Sequence, residues 1–293
     1  MKIISKLMKP YFVYRPEYII KSILYKLGFY KKGWIRTKTI FGSKIYCDNS
    51  KAIGRAIFKN GIYELPTSEL VWRLLPQGGT FVDVGANIGY FSCLAANKLK
   101  GHGHIIAYEP SDSLYVWLAR NLEPYDIVKI KNSAVSNKEG KALLYFPTEF
   151  ESNDGIATLE FLEESSHSIS VDMVALDQEI TYKIDVMKVD VEGHELSVFE
   201  GALEILKNGR VDYIIFEDHS IETSSVAKLL SDFGYHIFSI GWDFHGVNIK
   251  HLGEKNASLV IDAPNYVATL KPDLLLSIMA PKGWSILNRY SKQ

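Results

Sequence analysis

Acidic side chains and histidines follow two apolar segments of the chain, and this placement suits proton transfer. One group lies directly after the segment Ile184–Val189 and comprises Asp190, Glu192, His194 and Glu195. The other group closes the segment that begins at Tyr213 and comprises Glu217, Asp218 and His219. Parallel strands of an open α/β sheet end at one edge, where ligands bind. Both groups are therefore expected at one site, where a carboxylate or an imidazole could accept a proton from a hydroxyl group.

His194 is the first candidate for a general base, because the unperturbed pKa of histidine lies near neutrality. The alternative for this position is a residue at the start of a helix without a catalytic role. Asp190 is the firmer candidate for a site residue, in contact with either a cofactor or an acceptor. Glu192 and Glu195 could instead stabilise the start of the following helix through the helix dipole.

The second group supplies Glu217 and His219 as candidates for orienting an acceptor hydroxyl group. The carboxylates of both groups are also the kind of oxygen ligand that Mg²⁺ prefers. No metal-binding motif accompanies them, so no metal site is predicted. Residues 151–155 (ESNDG) are a candidate cover for the site, because long loops at such an edge often act as lids. A plain surface loop is the alternative.

A glycine-containing turn lies at residues 81–91, which read FVDVGANIGYF. Glycines at positions 85 and 89 permit positive φ and let a ligand approach the backbone, and free N–H groups at a helix start favour ligand acceptors. The Gly-x-x-x-Gly spacing differs from the G-x-G-x-x-G of a dinucleotide site. A carboxylate at Asp83 would repel a pyrophosphate and attract the cationic amino acid end of S-adenosylmethionine (SAM). The turn therefore favours SAM over NAD.

A second acidic position supports a nucleotide-derived cofactor. Glu109, within Tyr108-Glu109-Pro110, lies 24 positions after Gly85. This is close to the spacing of about 20 residues at which an acid binds the ribose hydroxyls in nucleotide-binding folds. A carboxylate suits a diol because it can accept both hydroxyl protons.

The segments that would position these side chains alternate between strand and helix patterns. Strands are predicted at Thr80–Val84, His104–Tyr108, Val128–Asn132, Ile184–Val189 and Tyr213–Glu217. Helices are predicted at Tyr90–Lys98, 113–122, 194–206 and 223–233. The strands His236–Ile240 and Leu259–Asp262 would close the series as an antiparallel pair. This alternation predicts an α/β fold with a doubly wound, mostly parallel sheet, interrupted at residues 140–180 by an inserted hairpin or flap.

The first 60 residues differ from the rest in charge. They contain 14 Lys or Arg against Glu17 and Asp48, about +12, whereas the remainder carries about −13. Such an asymmetry indicates either a surface for an anionic partner, such as lipid or nucleic acid, or a basic cap on an acidic domain. Residues 17–30 predict an amphipathic helix with apolar positions Ile19, Ile20, Ile23, Leu24 and Leu27. That helix either lies on a membrane or, as we favour, packs on the protein's own core.

A hairpin at 34–50 and a helix at 51–59 complete the N-terminal region. The expected division is a basic cap at 1–60, a catalytic domain at 61–270 and a tail at 271–293. Composition, at 47% apolar and 23% charged residues, is that of a globular chain. Cys47 and Cys93 are too few for a disulfide framework. With no signal peptide and no apolar run of about 18 residues, we expect a cytoplasmic protein, with peripheral membrane contact through residues 1–60 as the alternative.

Three segments resemble the FkbM family of SAM-dependent methyltransferases. They are DVGANIGYFS followed by YEP, then NSAVSNKEG, then IDVMKVDVEGHE running into FEGA. The resemblance implies a Rossmann-like class I fold with a seven-stranded sheet, SAM as cofactor and methyl transfer to oxygen. It implies that the methionine end of SAM contacts Asp83, Gly85, Asn87 and Gly89. It further assigns the ribose to Glu109 and the adenine pocket to Ser133, Ala134 and Val135. Tyr90 and Asp190 are additional candidates for binding the cofactor.

Taken together, these observations predict a SAM-dependent O-methyltransferase. Its acceptor would be a hydroxyl group of a sugar, a glycan or glycolipid, or a secondary metabolite. Two other enzymes remain as alternatives: an NAD-dependent oxidoreductase and a nucleic-acid methyltransferase. No Asn/Asp-Pro-Pro-aromatic motif of the kind used on base amino groups is found, and few aromatic residues interleave the basic ones, so no nucleic-acid partner is expected. A non-catalytic SAM-binding scaffold is disfavoured by the two charged groups.

Overall fold

A computed structural model of the chain describes residues 9–148, 156–163, 165–252 and 264–288. The strands in this part of the chain are β1 Trp34–Lys38, β2 Lys44–Asp48, β3 Thr80–Val84, β4 His104–Tyr108, β5 Val128–Lys131, β6 Ala134–Val135, β7 Gly140–Pro147, β8 Ser165–Val174, β9 Ile184–Val189, β10 Val211–Glu217, β11 His236–Asp243, β12 Gly246–His251 and β13 Asn265–Thr269. The helices are α1 Pro10–Tyr14, α2 Glu17–Lys26, α3 Ala52–Asn60, α4 Leu65–Leu74, α5 Tyr90–Leu99, α6 Asp112–Leu122, α7 Leu176–Glu179, α8 Glu195–Glu200, α9 Leu203–Lys207, α10 Ser225–Asp232 and α11 Pro272–Met279.

The principal sheet has the strand order β12-β11-β13-β10-β9-β3-β4-β5. Strands β5, β4, β3, β9 and β10 are parallel neighbours, whereas β13 is antiparallel to both β10 and β11. This arrangement confirms the predicted α/β fold with a mostly parallel sheet. Among the described residues the sheet has eight strands, one more than predicted, because a hairpin after Asp243 adds β12 at the edge.

The antiparallel end of the sheet was only partly predicted. The strand expected at His236–Ile240 is present as β11. Its expected partner, residues 259–262, lies outside the described residues. Strand β11 instead pairs with β13 on one side and β12 on the other.

Side chains from the two faces of the sheet enter two separate apolar clusters. In β3, Phe81 belongs to the cluster that includes Leu94 of α5, whereas Val82 belongs to the cluster that includes Phe199 of α8. Successive residues of a strand face opposite sides, so this division is what a sheet covered on both faces requires. The N-terminal hairpin adds the buried Phe41 to the first cluster.

The expected division into cap, domain and tail stays a prediction. Residues from all three segments contribute to one apolar core. Ile57 from α3 and Leu275 from α11 lie in the same cluster as the central residue Phe81. The chain after α11 is fixed by a buried ion pair within α4. There the Nε of Arg73 lies 2.6 Å from the carboxylate of Glu69, which also accepts hydrogen bonds from the N–H groups of residues 285 and 286.

Strands β7 and β8 of the predicted insertion at 140–180 form a three-stranded sheet with β6, which precedes the insertion, in the order β6-β8-β7. It has a small apolar cluster of its own, which includes Leu144, Phe146 and Val171. We call residues 140–174 the flap. The candidate cover at 151–155 lies outside the described residues.

The single helix predicted at 194–206 is wrong, because the chain there forms two short helices, α8 and α9. Gly201, which separates them, passes so close to Ser136 that a Cβ atom would overlap the Ser136 carbonyl oxygen. The new start at α9 is stabilised by Asp177, whose carboxylate accepts hydrogen bonds of 2.8 Å from the N–H groups of Glu204 and Ile205. These bonds satisfy donors that have no partner within a helix.

The predicted amphipathic helix near residue 17 exists as α2, and one of its faces packs on the core as preferred, although three of the predicted apolar positions point outward. Ile20, Ile23 and Leu27 are 63%, 50% and 66% exposed. The opposite face of α2 contacts the protein through Tyr18 and Tyr25. Among the described residues, no helix has the length and apolar character needed to span a bilayer.

Candidate functional site

A cavity of about 520 Å³ lies where β3, β4, β9 and β10 end. The edge of the sheet contributes the Gly85–Asn87 turn, Glu109, Asp190 and Glu217. The flap contributes Leu144, Ile156, Ala157 and Leu159, and the segment before the first central strand contributes Ile53, Ala56, Ile62, Tyr63, Glu64 and Leu65. The two acidic groups found in the sequence thus meet at one cavity, as their positions after parallel strands predict.

The glycine turn brings β3 against the end of β9. Gly85 has a φ of 78°, and a Cβ atom there would overlap the carbonyl oxygen of Asp190. The N–H groups of Gly85 and Ala86 both donate to the carbonyl oxygen of Tyr108. Gly89 also has positive φ, and a Cβ atom there would lie 2.7 Å from Leu118. Both glycines are therefore required by close packing, and the turn faces the cavity with its backbone.

Glu109 is fixed at the end of β4 with its carboxylate on the cavity wall. One carboxylate oxygen accepts a hydrogen bond of 2.8 Å from the N–H of Asn87, and the other accepts one of 2.9 Å from the N–H of Ser111. Each carboxylate oxygen can accept more than one hydrogen bond. The two backbone hydrogen bonds therefore hold the Glu109 carboxylate in a fixed orientation at the end of β4.

Asp83 occupies a different place from the one predicted. Its carboxylate is fully buried, accepts a hydrogen bond of 2.6 Å from the hydroxyl of Ser92, and is not part of the cavity wall. The alternation of β3 turns Asp83 toward α5, on the side opposite Val84. Burial, as the largest cause, raises the pKa of Asp83. The side chain of Asp83 therefore does not line the cavity, and its contact with the methionine end of SAM stays a prediction.

A buried hydroxyl without a partner belongs to a residue of the cavity wall. The hydroxyl of Ser133 is buried and has no hydrogen-bond partner among the described residues. Ser133, Ala134 and Val135 all line the cavity, as the resemblance implies. Buried polar groups normally have partners. The hydroxyl of Ser133 therefore points to a ligand with hydrogen-bonding groups.

Lys188 is a site residue that sequence reasoning missed. It is 4% exposed, lines the cavity from β9, and donates a hydrogen bond of 2.8 Å to the carboxylate of Asp190. Burial alone would lower the pKa of Lys188, but the carboxylates of Asp190, Asp83 and Glu64 together raise it above its usual value. Lys188 is therefore a buried ammonium group among carboxylates. A lysine inside the apolar run of β9 was the available signal.

Glu64 is the second residue that was missed. It precedes α4 with a φ of 39°, in the left-handed region that side chains other than glycine seldom adopt. Its carboxylate accepts a hydrogen bond from the side chain of Asn265, and burial, followed by the charge of Asp190, raises its pKa. Strained backbone is held in place by surrounding structure and clusters at functional sites.

Three carboxylates converge beside Lys188. Oxygen atoms of Asp190, Glu192 and Glu217 all lie within 4.8 Å of one another. Burial, and then the charge of Asp190, raises the pKa of Glu192 to about 7 and that of Glu217 to about 8. Both groups therefore change protonation near neutral pH, as a general base should. The same oxygens are near enough to share a cation, although the ammonium of Lys188 already supplies one positive charge there.

The two histidines predicted for the site are placed differently. His219 is 75% exposed and does not line the cavity, although its Nε2 lies 3.2 Å from the carboxylate of Glu217. His194 lines the cavity, with Nδ1 2.8 Å from Glu160 of the flap and Nε2 2.9 Å from Ser136. A carboxylate can only accept, so Nδ1 donates and Nε2 of the neutral ring accepts from Ser136. Both ring nitrogens are occupied, which favours a positioning role over that of a base.

We expect Glu160→Gln to increase amide hydrogen exchange in residues 156–163, because the substitution removes the charged acceptor that joins the flap to His194. Exposed charge pairs contribute up to about 1 kcal/mol, so the increase should be at most about fivefold. Exchange measured by mass spectrometry checks this. The exposed neighbour Glu163→Gln is the matched control. Equal exchange in both variants would show that the His194 contact does not hold the flap.

Comparisons with known proteins identify relatives of the central part of the chain. A family model described as the methyltransferase FkbM domain matches residues 83–237. Hexuronic acid methyltransferase AglP of Haloferax volcanii is 30% identical over 158 residues, covering 51% of this chain and 60% of that protein. Methyltransferase sdnD of Sordaria araneosa is 28% identical over 223 residues, covering 63% of this chain and 82% of that protein.

Among solved structures, a methyltransferase FkbM from Methylobacillus flagellatus is similar, with a TM-score of 0.46 and 14% identity. The alignment covers 68% of this chain and 47% of that chain. The family match begins at Asp83, so the cavity residues Ile53–Leu65 precede it and Trp242 follows it.

Proposed function

Since the chain belongs to the methyltransferase FkbM domain family, we propose that it transfers a methyl group from SAM to a hydroxyl oxygen of a sugar or another polyhydroxylated metabolite. One observation carries this proposal: a single cavity joins the glycine turn and Glu109 at one part of its wall to Asp190 and Glu217 at another. A relative named for methylation of hexuronic acid supports a sugar as acceptor.

The residues of the cavity fit SAM. Glu109 would hold the ribose hydroxyls, for which its carboxylate is already oriented. The buried hydroxyl of Ser133, which has no partner among the described residues, would serve the adenine. Asp190, with the backbone of the turn beside it, would face the cationic amino acid end. When bound, SAM supplies a methyl group on a sulfonium, which is an electrophile with a good leaving group.

The carboxylate cluster would manage the proton of the acceptor. Glu217 accepts this proton in our proposal, because its raised pKa of about 8 makes it a stronger base than an ordinary carboxylate. Asp190 accepts a hydrogen bond from Lys188. The charge of Asp190 helps to raise the pKa of Glu217, so the ionised Glu217 carboxylate holds the acceptor proton more firmly once it has taken it. Positioning of the acceptor oxygen supplies the remainder of the rate enhancement.

The two alternative enzymes, an NAD-dependent oxidoreductase and a nucleic-acid methyltransferase, are less well supported. The NAD-dependent oxidoreductase is wrong, because the matched family is one of methyltransferases. A nucleic-acid acceptor would have to bring its phosphates to a cavity whose wall contains Glu64, Asp190, Glu192 and Glu217. Carboxylates repel a phosphate backbone, whereas nucleic-acid sites are basic. A small acceptor is therefore better supported.

We expect the purified protein to bind SAM and S-adenosylhomocysteine, and Glu109→Ala to weaken both by about tenfold or more. The reason is the loss of two charge-assisted hydrogen bonds to the ribose, each contributing about 1.5–3 kcal/mol. Isothermal titration calorimetry measures this, with the exposed Glu123→Ala as control and NAD as the competing ligand. Binding of NAD without binding of either sulfur ligand would overturn the proposed cofactor.

A further inference from the structure

Helix α2 contacts the rest of the protein through its polar residues. The hydroxyl of Tyr18 donates to the carbonyl oxygen of Lys38 at 3.1 Å, and that of Tyr25 donates to the carbonyl oxygen of Asn49 at 2.6 Å. Lys21, between them on the same face, donates to the hydroxyl of Thr37 at 2.8 Å. Its ammonium also lies 4.0 Å from the ring centre of Phe58. This face is therefore fixed by specific bonds.

Three aliphatic residues of α2 and its C-cap form the opposite face, whereas Ile19 and Leu24 are half-buried. Ile20, Ile23 and Leu27 follow the i, i+3, i+7 spacing of a helical stripe, and each is at least half exposed. Phe29, just beyond the helix, is 72% exposed. We call these four residues the outer apolar face. A surface helix normally turns such a stripe toward its own core, so a stripe directed outward marks a contact with something else.

Basic residues neighbour the outer apolar face along the chain. Lys26, Lys31 and Lys32 are exposed. Across the described residues 9–60, twelve Lys or Arg stand against two acids, and one of these, Asp48, is buried and hydrogen-bonded to Ser50. An apolar stripe with lysines on its flanks is complementary to a surface that is both apolar and anionic.

We propose that the outer apolar face docks the protein on an anionic lipid bilayer. Helix α2 lies in the plane of the interface, its three aliphatic side chains and Phe29 enter the boundary between headgroups and acyl chains, and the lysines contact lipid phosphates. A nucleic acid would leave the aliphatic residues without a partner. A symmetric dimer through this face would bring Lys26, Lys31 and Lys32 of one copy toward their equivalents in the other. A bilayer suits both features.

The same N-terminal segment reaches the cavity. Lys9 and Tyr11, which precede α2, line the cavity wall. Only about ten residues of chain thus separate this part of the cavity wall from the residues of α2 that would enter the lipid surface. The inference does not depend on the proposed methyl transfer, because lipid binding is measured without a turnover assay.

The test is co-sedimentation of the full chain with phosphatidylcholine vesicles, with and without phosphatidylglycerol. We expect binding that requires the anionic lipid and decreases with salt. A triple variant, Ile20→Ser, Ile23→Ser and Leu27→Ser, should lower the partition coefficient by about tenfold or more. The control replaces three exposed aliphatic residues elsewhere, Val116→Ser, Leu274→Ser and Leu276→Ser, and should remain within about twofold of the wild type.

A second pair of variants tests the charges. Lys26→Glu, Lys31→Glu and Lys32→Glu together should abolish the preference for phosphatidylglycerol, since lysines near an anionic membrane are attracted to its surface. The control reverses three other exposed lysines, Lys129, Lys138 and Lys228. Thermal unfolding of every variant shows that the fold is retained. Vesicle binding that all variants share overturns the proposal. So does a wild-type dimer that the serine triple converts to a monomer without any change in lipid binding.

Discussion

Replacing Glu217 by glutamine is expected to lower kcat by about 10²–10⁴-fold, the range that a general base contributes. The substitution keeps the shape of the side chain and removes its ability to take the acceptor proton. Affinity for SAM should change little, because the proposed contacts with SAM come from Glu109, Ser133 and Asp190 and not from Glu217. Steady-state kinetics with an acceptor, together with calorimetry, separates these two effects. The control is His219→Gln, which changes only the exposed partner of Glu217.

The pH dependence of the same reaction follows from the direction of the pKa shifts. The pKa values of Glu192 and Glu217 are raised to about 7 and about 8, so both carboxyls are largely protonated at pH 6. A base must be ionised to accept a proton, and kcat/KM should therefore rise from about pH 6 and level off above about pH 9. Glu217→Gln should flatten this rise. A retained rise, with kcat close to that of the wild type, would assign the base to another residue.

Replacing Lys188 by methionine is expected to lower the free energy of unfolding by about 3 kcal/mol at pH 7. Removal of one partner from a buried ion pair typically destabilises a protein by about 3–5 kcal/mol. The lower end applies because the side chain of Asp190 is 26% exposed. Methionine keeps the length of the side chain, so loss of packing contributes little. Urea unfolding measures the change.

The matched control is Lys183→Met, just before β9. Lys183 pairs with Asp185 and Asp212, but its side chain is 54% exposed, and such pairs contribute at most about 1 kcal/mol. The pH dependence gives a second check. Without the ammonium, the already raised pKa values of Asp83 and Glu64 rise further, because Lys188 no longer lowers them, so the folded variant binds more protons than the unfolded chain. The loss of unfolding free energy relative to the wild type should therefore become smaller as pH falls toward about 5. Equal losses in both lysine variants at pH 7 would show that Lys188 does not neutralise the cluster.

The elements with the clearest apolar patterns were predicted with correct bounds. Strands β3, β4 and β9 match their predicted limits because each is a short apolar run between polar residues or glycines. The break between α8 and α9 could not be predicted, since it depends on the close approach of Gly201 to Ser136, far away in the sequence. Local patterns carry no information about such contacts.

The site was predicted where single strands determine it and missed where distant segments meet. Glu109, Asp190 and Glu217 follow strand ends, so their convergence could be deduced from topology. Glu64 enters the cavity from before α4, and Lys188 becomes significant only because three carboxylates lie around it. The contact between His194 and Glu160 of the flap could not be deduced from the sequence either. His194 was therefore predicted as a base, although both of its ring nitrogens are hydrogen-bonded.

The distribution of the cavity wall along the chain has a consequence for how such enzymes diversify. Residues 53–65 line the cavity but precede the segment matched by the family, whereas the glycine turn and Glu109 lie within it. Recombination at the junction near residue 76 would therefore exchange one wall and leave the other intact. Chimeras built by grafting this leading segment between relatives offer a direct route to new acceptor preferences on an unchanged catalytic frame.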